Sequence, residues 1–83
     1  MSLNPLELGK TPRFDIYVAL EVAKAELDAV EEYMQFLEHT HDEQLRKMLE
    51  YVIRDEMQHF SMMTKWLLRS VKEFREEFEK VRI

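Results

Sequence analysis

Phe36-Leu37-Glu38-His39-Thr40-His41-Asp42-Glu43 interrupts an otherwise unbroken helical rhythm, and its residues decide the fold. On either side apolar residues recur at steps of three and four, whereas His39 to Asp42 form a polar run. Thr40-x-x-Glu43 has the spacing of a capping box, in which a Thr hydroxyl and a Glu carboxylate satisfy backbone amides at a helix start. A second helix is therefore predicted to begin near His41. So short a connection makes the two helices antiparallel neighbours.

Working back from the turn, one stripe is Ile16, Leu20, Ala23, Leu27, Val30, Met34 and Leu37, and a second is Ala19, Val22, Glu26, Ala29, Tyr33 and Phe36. Together they cover a wider face than one packing partner needs. Thr11-Pro12 reads as N-cap and first helical residue, with Asp15 favourable in the first turn. Helix one is thus expected over about 12–38, and residues 1–10 are expected to be irregular. Working forward, Leu45, Leu49, Val52, Glu56, His59, Met63 and Trp66 form one stripe, and Ile53, Met57, Phe60, Leu67, Val71, Phe74 and Phe78 another. Ser70-x-x-Glu73 is a further capping-box match, so helix two either runs on or bends near residue 70. Residues 13–83 contain no Gly or Pro, which fits long helices with few loops. The whole chain, 1–83, is read as one all-α helical-hairpin domain.

Composition narrows the function classes. There is no Cys, which excludes disulfides, thiolate chemistry and iron–sulfur clusters. A net charge of −5 argues against a nucleic-acid partner. No apolar run approaches a membrane span and no signal peptide is recognisable, so a soluble cytoplasmic protein is expected. Met34, Met48, Met57, Met62 and Met63 read as gap-filling core, His39 and His41 as exposed turn residues, and Glu76 with Lys80 as an i,i+4 pair.

The chemistry lies in ionisable groups set inside apolar stripes. Glu26 stands 14 residues before Thr40 and Glu56 stands 16 after it, or ~21 and ~24 Å from the turn at the helical rise. In an antiparallel hairpin the two carboxylates share one height, and His59 follows Glu56 by three residues on the same face. Burying such groups without compensation is costly, and a shared metal ion would supply that compensation. From composition alone roughly 0.5 Glu-x-x-His matches are expected. A second one, Glu38-x-x-His41, straddles the turn and reads as solvated. Glu56-x-x-His59 is set apart by its neighbours Val52, Ile53, Phe60 and Met63. Tyr33, seven residues after Glu26, returns to the same face, where its hydroxyl could reach a ligand or bound oxygen species. Glu31 and Glu32 read as solvated charges that could line a cation path.

Ala25-Glu26-Leu27-Asp28-Ala29-Val30-Glu31-Glu32-Tyr33, the short turn and Arg54-Asp55-Glu56-Met57-Gln58-His59 resemble ferritin-like di-iron proteins. The chain is most similar to the two-helix encapsulated ferritins, or half-ferritins. Those carry E-x6-Y on helix one and E-x-x-H on helix two, thirty residues apart, as 56 − 26 gives here. Similarity runs from about Val18 to Arg69. The resemblance implies that Glu26, Glu56 and His59 are metal ligands and that two hairpins dimerise into a four-helix bundle around a di-iron centre, two irons per dimer. It also implies assembly into rings, ferroxidase activity and iron delivery to an encapsulin shell, placing the protein inside that compartment. Family members often carry further acidic residues around the first ligand; Ala25 and Asp28 stand there, which implies a reduced or absent approach site. No encapsulin-targeting tail is recognisable after the helices.

Two chains would supply four carboxylates and two imidazoles, a set suited to iron, with Mn or Zn as substitutes. Asp55 could orient the partner's His59. Open coordination positions would admit O₂ or peroxide for the oxidation of Fe(II) to Fe(III). Two alternatives stay open: a metal-free hairpin scaffold in which Glu56 and His59 are merely paired, and a rubrerythrin-like peroxidase. The latter normally wants an electron donor, and this chain lacks the four cysteines of a rubredoxin domain.

Overall fold

The structure, a computed structural model, describes residues 11–83 as three helices and no strand among those residues. The irregular segment expected at 1–10 lies outside them. α1 is Arg13–His39, α2 is Glu43–Ser70 and α3 is Lys72–Lys80. α1 and α2 lie antiparallel, each ~40 Å long at the helical rise, in a molecule of 54 × 29 × 22 Å. The all-α hairpin expected from the sequence is what forms.

The turn closes differently from the capping box. Thr40 ends α1 in an extended conformation and donates its hydroxyl back to the Phe36 carbonyl at 2.6 Å. Asp42 is the cap of α2, its Oδ1 accepting from the Leu45 amide at 2.8 Å. Arg46 reaches back from α2 and donates to the carbonyls of Leu37 at 2.6 Å and Thr40 at 2.9 Å. The last carbonyls of α1 lack intrahelical partners, and the guanidinium takes up two carbonyls at this end, those of Leu37 and Thr40, without a glycine.

At the other end helix two bends at Val71, in an extended backbone conformation. Ser70 is not the cap of α3; that position is Val71, which has no side-chain cap to offer. The bend turns Val71 inward, where it is 1% exposed and packs with Ile16, Ala19 and Leu67, with Trp66 against them. It also frees carbonyls at the end of α2. Thr11 Oγ1 donates to Ser70 O at 2.7 Å and Arg75 Nη1 to Arg69 O at 3.2 Å. Thr11 therefore serves this junction, while Pro12 occupies the N-cap of α1 without a side-chain hydrogen bond.

Only Ile16, Ala19, Ala23, Ile53, Leu67 and Val71 are buried apolar residues among those described. Small Ala19 and Ala23 let the helix backbones approach closely. Leu27 (49% exposed), Met34 (54%), Met57 (48%), Met48 and Met62 lie at the surface, and of the methionines expected in the core only Met63 is half-buried. A two-helix hairpin has a single internal seam, which cannot cover two stripes per helix. His39 and His41 are exposed as expected. Lys80 pairs with Glu77 at 2.9 Å rather than with Glu76. The Glu77 hydrogen bond, followed by its charge, raises the Lys80 ammonium above its ordinary pKa.

Candidate metal centre

Glu26 comes from the middle of α1, and Glu56 and His59 from adjacent positions on one face of α2. Antiparallel pairing at equal heights brings one donor atom of each within 4.8 Å of the others. His59 Nδ1 stands 3.6 Å from Glu26 Oε2 and 3.9 Å from Glu56 Oε2. The carboxylates are mostly covered, with side-chain exposures of 19% and 21%, while the imidazole is 44% exposed. The three face an open side of the hairpin.

Glu26 Oε2 is buried and has no hydrogen-bond partner. The His59 Nδ1 atom stands beside it, but 3.6 Å is too long for a hydrogen bond. A buried carboxylate oxygen left without a donor is unfavourable, and a divalent cation beside it would supply the missing positive charge. Donors ~2.1 Å from one ion are at most ~4.2 Å apart, so small side-chain rotations would close this cluster around an ion. Two carboxylate oxygens and an imidazole nitrogen suit iron or manganese and are tolerated by zinc. The residues present fit a divalent metal.

Glu38 and His41 are exposed beside the turn and outside the cluster. Among the described residues no other three His, Asp or Glu side chains gather in this way. Tyr33 is half-buried, about two helical turns nearer the interhelix turn, its ring 6.1 Å from that of Phe36. Asp55 is exposed, as are Asp28, Glu31 and Glu32, which line a shallow acidic hollow.

Val22, Ala29, Tyr33 and Phe36 share a stripe with Glu26, and Leu45, Val52, Met63 and Trp66 share one with His59. Beyond the site in one direction Phe14, Val18, Met63 and Trp66 line an apolar groove. In the other Phe36, Leu45 and Leu49 line a groove of mixed character with Gln35, Glu38 and His39. The donors thus lie midway along an incompletely covered apolar face.

Comparison with known proteins agrees with the all-α fold. The sequence profile of the family described as EncFtn-like matches residues 4–82. A protein of Thermotoga maritima described as a ferritin-like protein is 40% identical over 57 residues, covering 69% of this chain and 50% of the relative. The chain thus spans about half the length of that curated relative. No solved structure matches it significantly. Among the described residues no helix is long and apolar enough to cross a membrane.

Proposed function

The chain belongs to the EncFtn-like family, and from that membership and the three-donor cluster we propose that it is a ferroxidase whose iron site is shared by two copies. The observation that carries the proposal is the buried, unpartnered Glu26 Oε2 beside Glu56 and His59. Each chain contributes three donors, half of the four-carboxylate, two-imidazole set used by ferritin-like di-iron bundles. Fe(II) is the substrate. Two Fe(II) ions give up one electron each; O₂ takes both with two protons to form H₂O₂, or H₂O₂ takes both with two protons to form two waters.

Glu26 and Glu56 bind the incoming cation through anionic oxygens, and this negative charge favours the more highly charged oxidised ion. His59 supplies a neutral donor at Nδ1, close to both carboxylates. Asp55 is assigned to orient the partner copy's His59, and Tyr33 to an outer hydrogen bond or to trapping stray radicals. A ring of such pairs inside an encapsulin compartment of the cytoplasm extends the proposal on the strength of the family.

Fe(II) oxidation followed spectroscopically in wild type and Glu56→Ala, with particle mass measured on both, tests the assignment. Loss of rate with retained assembly is the expected result; equal rates would remove Glu56 from the site. Faster oxidation by H₂O₂ than by O₂ would favour a peroxidase of the rubrerythrin kind.

A further inference from the structure

Resting on the O₂ branch of that function, we infer that Met62 and Met63 intercept the hydrogen peroxide made at the metal centre, each thioether becoming a sulfoxide. The chain has no Cys and six Met, so thioethers are the side chains that this two-electron oxidant attacks. The hairpin seam holds few of them. Met34, Met48, Met57 and Met62 are between 48% and 56% exposed, and Met63 is half-buried. Exposure therefore singles out none of the four surface methionines, but position does.

Met62 and Met63 follow His59 by three and four residues on α2, which sets their Cβ atoms ~5–6 Å from that of His59. At ~100° per residue they lie ~60° and ~40° round the helix from it. Long side chains on a helix lean toward its N-terminus, so both thioethers lean back over the turn that carries His59. Both also line the apolar groove on that side of the site. Met57 is the contrast. It adjoins Glu56 in sequence and is nearly as exposed as Met62, yet it stands ~160° from His59 round α2. Met34 and Met48 are each eight residues from the nearest ligand on their own helix, ~12 Å along the axis toward the turn.

The step balances without a further reagent. H₂O₂ transfers one oxygen atom to sulfur and leaves as water, and the sulfur gives up two electrons. Methionine sulfoxide reductases return the product to the thioether, so the two residues form a renewable peroxide trap.

Aerobic Fe(II) turnover in the presence of catalase, followed by peptide mass spectrometry, tests this. Cleavage after Arg54 and Lys65 leaves Met57, Met62 and Met63 on one peptide, where fragment ions compare them directly. Mean sulfoxide at Met62 and Met63 should exceed that at Met57 by about tenfold or more, a low figure for reaction between neighbouring groups. H₂O₂ added to the metal-free chain in EDTA should instead oxidise Met57 and Met62 alike, and Met63 more slowly. Without catalase, Met62→Leu/Met63→Leu, which nearly preserves volume, should release more peroxide per Fe(II) oxidised over the first turnovers. The wild-type comparison keeps a readout if that variant fails to fold. Fe(II) oxidation with equal sulfoxide at all three residues, with none, or with the same bias from peroxide in EDTA overturns the inference and leaves the ferroxidase standing. Equal peroxide release from the folded variant and wild type does the same. Fe(II) oxidation no faster than in protein-free buffer overturns both.

Discussion

Glu26, Glu56 and His59 come together because 14 residues before the turn and 16 after it are nearly equal helix heights. That equality was legible in the sequence: it needed only helix rise and the position of the break. The unpartnered state of Glu26 Oε2 was not, since it depends on side-chain angles within the seam. Thr40 and Asp42 illustrate the same limit. Both are cap-forming residues two positions apart, and the choice of Asp42 follows from the Thr40 hydroxyl turning back to Phe36 and Arg46 closing the carbonyls. At this scale, His59→Ala should weaken Mn(II) binding by about 100-fold or more, since loss of even an outer partner of a ligand costs 10–100-fold. Isothermal titration calorimetry measures it, and unchanged affinity would take His59 out of the donor set.

The helices themselves were legible from their stripes, the missing Gly and Pro, and the polar run at the turn. The bend between α2 and α3 was left undecided, because nothing local marks it. It is fixed by burial of Val71 against Ile16, Ala19 and Leu67, and by Thr11 and Arg75 taking up the freed carbonyls. Three stability predictions belong here. Asp42→Ala removes the cap of α2 and should lower unfolding free energy by about 1 kcal/mol. Leu67→Ala, in the most tightly packed cluster, should lower it by about 2–5 kcal/mol. Met57→Ala, at an exposed position, should change it by less than about 0.5 kcal/mol in the metal-free chain. Urea unfolding in EDTA, followed by circular dichroism, measures all three; a Met57 effect as large as that of Leu67 would mean the exposed stripe is covered even without metal.

As a whole molecule, 83 residues with so small a buried core lie near the lower limit at which one chain stabilises itself. The sequence already carried two apolar stripes per helix, more than a hairpin can cover, and the structure leaves much of both exposed. What covers them lay beyond one chain's geometry, and the proposal that a second copy does so rests on the half-complete donor set. Cation binding to the folded state should also raise thermal stability by mass action. Differential scanning calorimetry should show a midpoint that climbs with Mn(II) in wild type and stays fixed in Glu26→Gln/Glu56→Gln; equal shifts would place the stabilising ion elsewhere. The most direct test of the shared centre is anaerobic Fe(II) titration with particle mass recorded at each addition. Binding should saturate at about one iron per chain, in particles containing an even number of chains, and vanish in Glu26→Ala/Glu56→Ala; saturation in single chains, or iron retained by that double variant, would contradict it.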